Sequence, residues 1–348
     1  MSAPAAISAA SETGVVASQR RPKARRSSTG IVLRLILTRL LTSLIVLFVV
    51  TFVIFLFVHA APGGPELALA GVDATPEQLA AIRAAYHLDD PLVLQYFRFI
   101  SGALGGDLGA SITMREPVIT VVSRAATSVT LPLIVMAWML SVIPGVTLGY
   151  LSARKRGSIT DRVILTATIL GATAPVFAVG MFVSYVFGIQ LGWLPFLGAG
   201  DGGLDTLRHL VLPAVTIAVV LLASATRVSR VRFIQVIEED QYTFARARGL
   251  SRSYLWTRVV LKNAAVHLIT WSGSLVIGLI AGLIIVEQIY GLPGIGTLLI
   301  KAIGSRDIPL IQGITLLIAI GVVLINLVVD LLCIWVDPRI RKGMEVER

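Results

Sequence analysis

The chain has 348 residues, 55% of them hydrophobic and only 14% charged, with a mean hydropathy of +0.85. Soluble domains of this size carry about 25% charged residues, and the apolar runs here are continuous rather than alternating, which excludes both an ordinary soluble protein and an outer-membrane barrel. The formal charge of +10 does not point to nucleic acid, because the basic residues flank apolar runs. This composition specifies an all-α polytopic membrane protein.

Residues 1–30 are rich in Ala and Ser and end in Arg20-Arg21-Pro22-Lys23-Ala24-Arg25-Arg26. They read as a disordered basic tail that anchors topology, with an uncleaved first helix at 31–59, since the apolar segment is too long for a signal core. Six stretches, uncharged but for Asp330 near the end of the last, read as spans. They run Leu40 to Val58, Thr127 to Leu151, Val163 to about Gln190, Leu210 to Thr226, Ala264 to Val286 and Ile308 to about Val336. The fourth is expected to continue beyond the bilayer, because Arg227 to Glu239 contains neither Gly nor Pro. Pro132, Pro144 and Pro175 are expected to kink the second and third spans by removing backbone donors.

With six spans, both termini and the loops 152–162 and 227–263 share one side. That side holds 23 of the 30 Lys and Arg, so the positive-inside rule places it in the cytoplasm. The opposite segment 60–126 is expected to form a small helical external subdomain lying over the membrane face. Thr75-Pro76-Glu77-Gln78 carries a capping-box start, Leu92 to Leu104 reads as a further helix, and Gly105-Gly106-Asp107-Leu108-Gly109 breaks the chain. A five-helix core at 127–336 and a tail at 337–348 complete the organisation.

No catalytic set emerges. Cys333 is the only cysteine, the four histidines are scattered, and none of the five lysines follows a glycine, so disulfide, zinc and P-loop readings have no support. Ser274, Gly278 and Gly282 recur every four residues in the fifth span, a helix-packing stripe directed either at this chain or at a partner. Asp330, ionisable in an apolar run, is expected near the cytoplasmic end in a structural hydrogen-bonding role.

The loop 227–263 carries eight basic residues and the acidic run Glu238-Glu239-Asp240. Asp240 to Arg248 reads as a short helix stopped by Gly249 in a positive-φ conformation, and Ser251 is placed to cap a second helix running toward Leu261. By composition alone this is a solvated loop. Its small residues and aromatics suggest a docking element.

Asp240-Gln241-Tyr242-Thr243-Phe244-Ala245-Arg246-Ala247-Arg248-Gly249-Leu250-Ser251 resembles the coupling-loop motif of binding-protein-dependent ABC importer permeases, within them the dipeptide/oligopeptide and nickel group. His59-Ala60-Ala61-Pro62-Gly63-Gly64-Pro65, Tyr86-His87-Leu88-Asp89-Asp90-Pro91 with Gln95-Tyr96, and Gly106-Asp107-Leu108-Gly109-Ala110-Ser111 resemble further motifs of that group. So do Arg208 to Ala214, Leu292 to Gly296, Arg306 to Pro309, Asn326 to Leu332 and Asp337 to Arg341, in the group's order.

The resemblance implies a type I importer permease with six transmembrane helices in a bacterial or archaeal plasma membrane. It would form half of a substrate path with a second homologous permease and receive cargo from an extracytoplasmic binding protein. One or two cytoplasmic P-loop ATPase subunits would use ATP and Mg, so that this chain is no enzyme and binds no cofactor. Asp240, Ala245, Arg246, Ala247, Arg248, Gly249 and Leu250 become the ATPase-coupling residues, with Ala245, Ala247 and Gly249 packing and terminating the helix. Arg246 and Arg248 would contact the ATPase or the loop's own acids. Peptide cargo leads, nickel is the alternative within the group, and a self-sufficient secondary transporter is the alternative outside it. Departures stand at Gly64, where the group has aspartate, at Thr243 and Phe244, and at His267, where the group has proline.

Overall fold

The computed structural model describes residues 28–59, 74–85 and 88–337, without the side chains of 28–36, 58–59, 85 and 281. The basic tail, most of the 59–65 motif, Tyr86-His87 and the end of the Asp337 to Arg341 motif lie outside the described residues.

Eleven helices are built from these segments: α1 Ser28–His59, α2 Pro76–Ala85, α3 Leu92–Leu104, α4 Val118–Arg154, α5 Ile159–Thr173, α6 Val176–Gln190, α7 Gly203–Glu238, α8 Asp240–Ala247, α9 252–289, α10 Ile295–Gly304 and α11 Ile308–Val336. Among the described residues the only sheet-like pairing is an isolated bridge between Ala110 and Pro117. Among the described residues five helices are long and apolar enough to cross a membrane, and there is a sixth crossing if α5 and α6 count as one span. Those two are bent by 99° at a break of two residues. Pro175 explains the bend: Ala174 before it is driven to extended geometry (ψ 133°), so the helix cannot run through.

The other prolines act differently. Pro132 follows a stretch, Ala126–Thr130, in which the amide of Leu131 bonds the Ala126 carbonyl five residues back. That wider π turn absorbs the proline inside one continuous α4 rather than breaking it. Pro144 and Pro213 also sit within unbroken helices. As expected, the fourth span runs on past the bilayer: α7 has 36 residues, about 54 Å at 1.5 Å per residue.

The centre of the fold is the seam between α4 and α7. Ala137, Ser141, Gly145, Gly149 and Ala153 are spaced four apart on α4, and all are buried. A methyl on Gly149 would sit 2.7 Å from Ser229 Cβ, and one on Gly145 would overlap Ala225. The bare glycines therefore let the two backbones approach. The stripe Ser274, Gly278 and Gly282 is not used this way: Ser274 is exposed, and a Cβ on either glycine would meet nothing within 4 Å. That corrects the packing expectation for this chain's own helices, because α9 turns its other face inward through Leu268, Leu279, Leu283 and Val286.

At the end bearing α10, Asp307 joins two segments 196 residues apart in sequence. Its buried carboxylate accepts from Ser111 Oγ (2.6 Å), from Thr113 N (3.0 Å) and Thr113 Oγ1 (2.7 Å), and caps α11 by accepting from Leu310 N (3.3 Å). Nearby, buried Glu287 accepts from Thr130 Oγ1 and from Thr297 N, both at 2.9 Å. Gly294 and Gly296 leave the space its carboxylate fills. At the opposite end α1 leans on α11, where Arg39 Nε lies 3.1 Å from Asp330 Oδ2. The hydrogen-bonding role expected for Asp330 is thus filled by an ion pair to the first helix.

Candidate coupling site

Between α7 and α9, at the arginine-rich end, the chain turns through α8. Glu239 adopts extended geometry (ψ 145°) and breaks the helix, and Asp240 starts α8 with its acid in the first turn, where the helix dipole favours it. The helix stops on a two-bond glycine motif. Gly249 has φ +73°, its amide bonds Arg246 O (3.0 Å), and the amide of Leu250 bonds Ala245 O (3.4 Å). Ser251 Oγ then accepts from Tyr254 N (3.3 Å), opening α9. The second helix expected to end near Leu261 is instead the start of α9. It joins the fifth span through a π turn at Leu255–Val260 whose inward residues Leu255, Val259 and Val260 are buried. His267 stands exposed in this unbroken helix.

Aromatic side chains seat the base of this segment. The Tyr150 ring from α4 lies 4.0 Å from Trp256 of α9 and 5.8 Å from Phe233 of α7, centroid to centroid, and Phe233 meets Trp256 edge-on at 5.3 Å. Tyr242 of α8 packs against the same cluster, which includes Ala153, Val236, Val260 and Ala264. Asn263 Nδ2 donates to Gln241 Oε1 (3.2 Å), a second tie between α8 and α9.

The other face of α8 is bare. Phe244 is 70% exposed, and Asp240, Arg246, Ala247, Arg248, Gly249 and Leu250 are exposed, as is Tyr254, while Ala245 is half-buried. Glu238 pairs with Arg156 Nη1 (2.6 Å) from the turn after α4, not with Arg246 or Arg248. Four of the seven residues expected to couple stand on α8 and the other three at its glycine stop, with Ala245 half-buried and Ala247 exposed.

Sequence reasoning missed the brace beneath this element. Arg230 of α7 donates to both oxygens of buried Asp161, Nε to Oδ1 (2.9 Å) and Nη2 to Oδ2 (2.8 Å). Ser152 Oγ and the amide of Gly157 (2.9 Å) add donors to the same carboxylate. A signal was present: Ser158-Ile159-Thr160-Asp161 has capping-box spacing, and Ser158 Oγ accepts from Asp161 N (3.3 Å).

Membrane-length helices around a close-packed seam, with a glycine-stopped, outward-facing helix slung between two of them at the basic end, fit a multi-pass membrane transport subunit. The chain belongs to the family of binding-protein-dependent transport system inner membrane components, whose model matches residues 145–342. The model of the N-terminal membrane component of such systems matches 32–134. It is thus a permease subunit of an ABC importer and a multi-pass inner-membrane protein.

Among curated relatives, the glutathione transport system permease protein GsiC of Escherichia coli K12 is 37% identical over 289 residues, 83% of this chain and 92% of the relative. GsiC of Salmonella paratyphi A is 36% identical over 311 residues, covering 89% and 99%. Among solved structures, an inward-facing MetNI methionine ABC transporter chain superposes with a TM-score of 0.52 at 16% identity. It covers 63% of this chain and 97% of that one, a likeness of fold alone.

Proposed function

We propose that this chain forms half of the path of an importer for small peptides and is driven through α8. The observation that carries the reading is the exposed run Phe244, Arg246 and Ala247 on α8, continued by Arg248 and Leu250 at its end, on a segment whose base is clamped to α7 and α9. An apolar side chain ringed by arginines, and left bare by its own chain, suits a groove on another protein. In this reading that protein is a cytoplasmic P-loop ATPase, one or two per complex, which uses ATP and Mg while this chain binds no cofactor. A second homologous permease completes the path, and an extracytoplasmic binding protein delivers cargo. The distribution of Lys and Arg supports cytoplasmic termini. The open stripe Ser274, Gly278, Gly282 suits the second permease.

Di- or oligopeptide cargo is supported by the motif resemblance, and glutathione, for which the relatives are named, is itself a small peptide. The test begins with a mild-detergent pull-down of the tagged chain from its native membrane, with mass spectrometry of the bound proteins. Recovery of a second permease and a P-loop ATPase is expected, followed by ATP-dependent uptake of labelled di- and tripeptides by the reconstituted complex. A homo-oligomer without ATPase would overturn the coupling role. An intact complex that transports no peptide would overturn the cargo.

A further inference from the structure

The segment between the first two membrane-length helices is expected from sequence to lie over the membrane face. In the fold, α3 presses Tyr96 deep into α1. The ring centroid of Tyr96 lies 5.3 Å from Phe48, 5.1 Å from Phe52 and 5.5 Å from Phe55. Its hydroxyl shares a hydrogen bond with Thr51 Oγ1 (2.7 Å) and donates to the Phe48 carbonyl (3.0 Å).

Two markers fix the depth of Phe48. Arg39, paired with Asp330, is nine residues toward the arginine-rich end, about 14 Å along the helix, and the end of α1 at His59 is eleven residues the other way, about 16 Å. A hydrocarbon core is about 30 Å thick. Phe48 therefore stands near its middle, and a helix whose tyrosine spans Phe48 to Phe55 sits inside one leaflet rather than above it.

The rest of α3 suits that depth. Phe99 and Ala103 pack inward on the cluster of Leu108, Val118, Leu310 and Ile314, which Leu47 of α1 also touches. Among the described residues the opposite face is left largely open: Val93 is 59%, Phe97 55% and Leu104 86% exposed, with Leu92 and Leu94 exposed beside them, and the ring of Phe97 meets only the edge of Tyr96 on its own helix. Polar groups at the start of the helix are satisfied internally, as burial in lipid demands. Gln95 Nε2 donates to the carbonyls of Leu88 and Asp90, each at 2.8 Å, and Arg98 pairs with the Asp90 carboxylate.

We propose that α3 is a membrane-embedded half-helix whose Val93, Phe97 and Leu104 face contacts the acyl chains of the leaflet opposite the arginine-rich loops. The occupant is lipid because the face carries no charge and lies at the depth where α1 exposes Val49, Val53 and Leu56. This inference does not depend on cargo or coupling, so failure of either leaves it standing.

The experiment is site-directed spin labelling of the full chain, in the complex as purified, in nanodiscs of phosphatidylethanolamine and phosphatidylglycerol. Cysteines are placed singly at Val93, Phe97 and Leu104 on a Cys333→Ala background, with Val53 as the lipid reference and Glu77 as the water reference. Collision with dissolved oxygen is expected to exceed collision with a nickel chelate by the factor seen at Val53. Chelate access equal to that at Glu77 would overturn the proposal in favour of a helix on the water side. Protection from both reagents would overturn it in favour of a covering protein. The labelled side chains are largely exposed, and only Phe97 gives up a ring contact, with Tyr96, so misfolding of that variant leaves Val93 and Leu104 to decide.

Discussion

Replacing Asp307 by alanine should destabilise the fold by about 3–5 kcal/mol, and the geometry says where the loss arises. The bond from Leu310 N is a helix cap, for which alanine costs about 0.5–2 kcal/mol. The three bonds from Ser111 and Thr113 end on one ionised oxygen. Bonds to charged groups contribute about 1.5–3 kcal/mol each, but three on one atom share their effect rather than add. Alanine also takes from the buried Ser111 hydroxyl its charged acceptor, leaving it only the bonds with Met114 N (3.1 Å) and Thr113 Oγ1 (3.3 Å). The assay is SDS-induced unfolding of the purified chain, followed by tryptophan fluorescence, arranged as a double-mutant cycle with Ser111→Ala. The double variant should lose less than the sum of the singles by about 1 kcal/mol or more, whereas additivity within about 0.5 kcal/mol would refute the idea that the two segments form one energetic unit.

The same carboxylate gives a pH signature. Burial raises its pKa, but the hydrogen bonds from Ser111 and Thr113 outweigh that, so the net displacement is below the ordinary value. A depressed folded-state pKa means the stabilisation is complete above the unfolded value, about 3.9, and disappears as pH falls through the lower folded value. Wild type should lose its advantage over Asp307→Asn only below about pH 4. A constant difference down through that window would refute the titration.

At the brace, Asp161→Leu or Arg230→Met should each cost about 3–5 kcal/mol by stranding a partly buried charge, while the double variant should cost less than the two singles summed; SDS unfolding checks both. Gly145→Val should cost about 1–3 kcal/mol or more through overlap with Ala225, and Gly278→Val should change the isolated chain by no more than about 0.5 kcal/mol, but lower recovery of the second permease in a pull-down. Gly249→Val forces a branched side chain to φ +73°, a strain of about 1–2 kcal/mol in open space; the protein should insert normally yet lose ATP-dependent uptake, and unchanged uptake would count against the coupling role. Glycines at the exposed positions Val231 and Gln235 of α7 should cost about 1 kcal/mol each; membrane insertion should be retained and cargo moved per ATP should fall, as measured in proteoliposomes.

Local signals were the legible ones. The capping box at Thr75 is formed as read, with Thr75 N bonding Gln78 Oε1 (3.0 Å) and Gln78 N bonding Thr75 Oγ1 (3.3 Å). The bounds of α3 and the positive φ of Gly249 also follow from neighbouring residues. What could not be read is what two distant segments decide together. The four-residue repeat at Ser274 and the one at Ala137 look alike in sequence, yet only the second faces α7, because a stripe carries no statement of its partner. Pro175 announces a bend but not its 99°. Asp307 and Ser111 both stand in quoted motifs, and nothing in either spacing joins them. The depth proposed for α3 is of the same kind: amphipathicity gives a face, whereas the proposal rests on where Tyr96 meets α1.

These ties divide the chain into parts with different freedom to move. Asp307 and Glu287 fasten the end bearing α10, and the glycine seam holds α4 to α7 along its length. The Asp161–Arg230 pair and the Tyr150–Phe233–Trp256 cluster then fix α5, α4, α7 and α9 to one another beneath α8. A force applied to the bare face of α8 would reach these ties across the breaks at Glu239 and Gly249, where Tyr242 and Gln241 hold α8 to its neighbours. Downward it passes into α7, which is unbroken from Gly203 to Glu238, and into α9, whose π turn redirects the chain without interrupting it. The compliant places are the α5–α6 bend, where two residues leave helical geometry, and the open face of α9. In the proposed coupling, a push at α8 would reach the tied α4–α7–α9 unit first, and the α5–α6 bend and the open face of α9 at Gly278 and Gly282 are where these ties leave room for displacement.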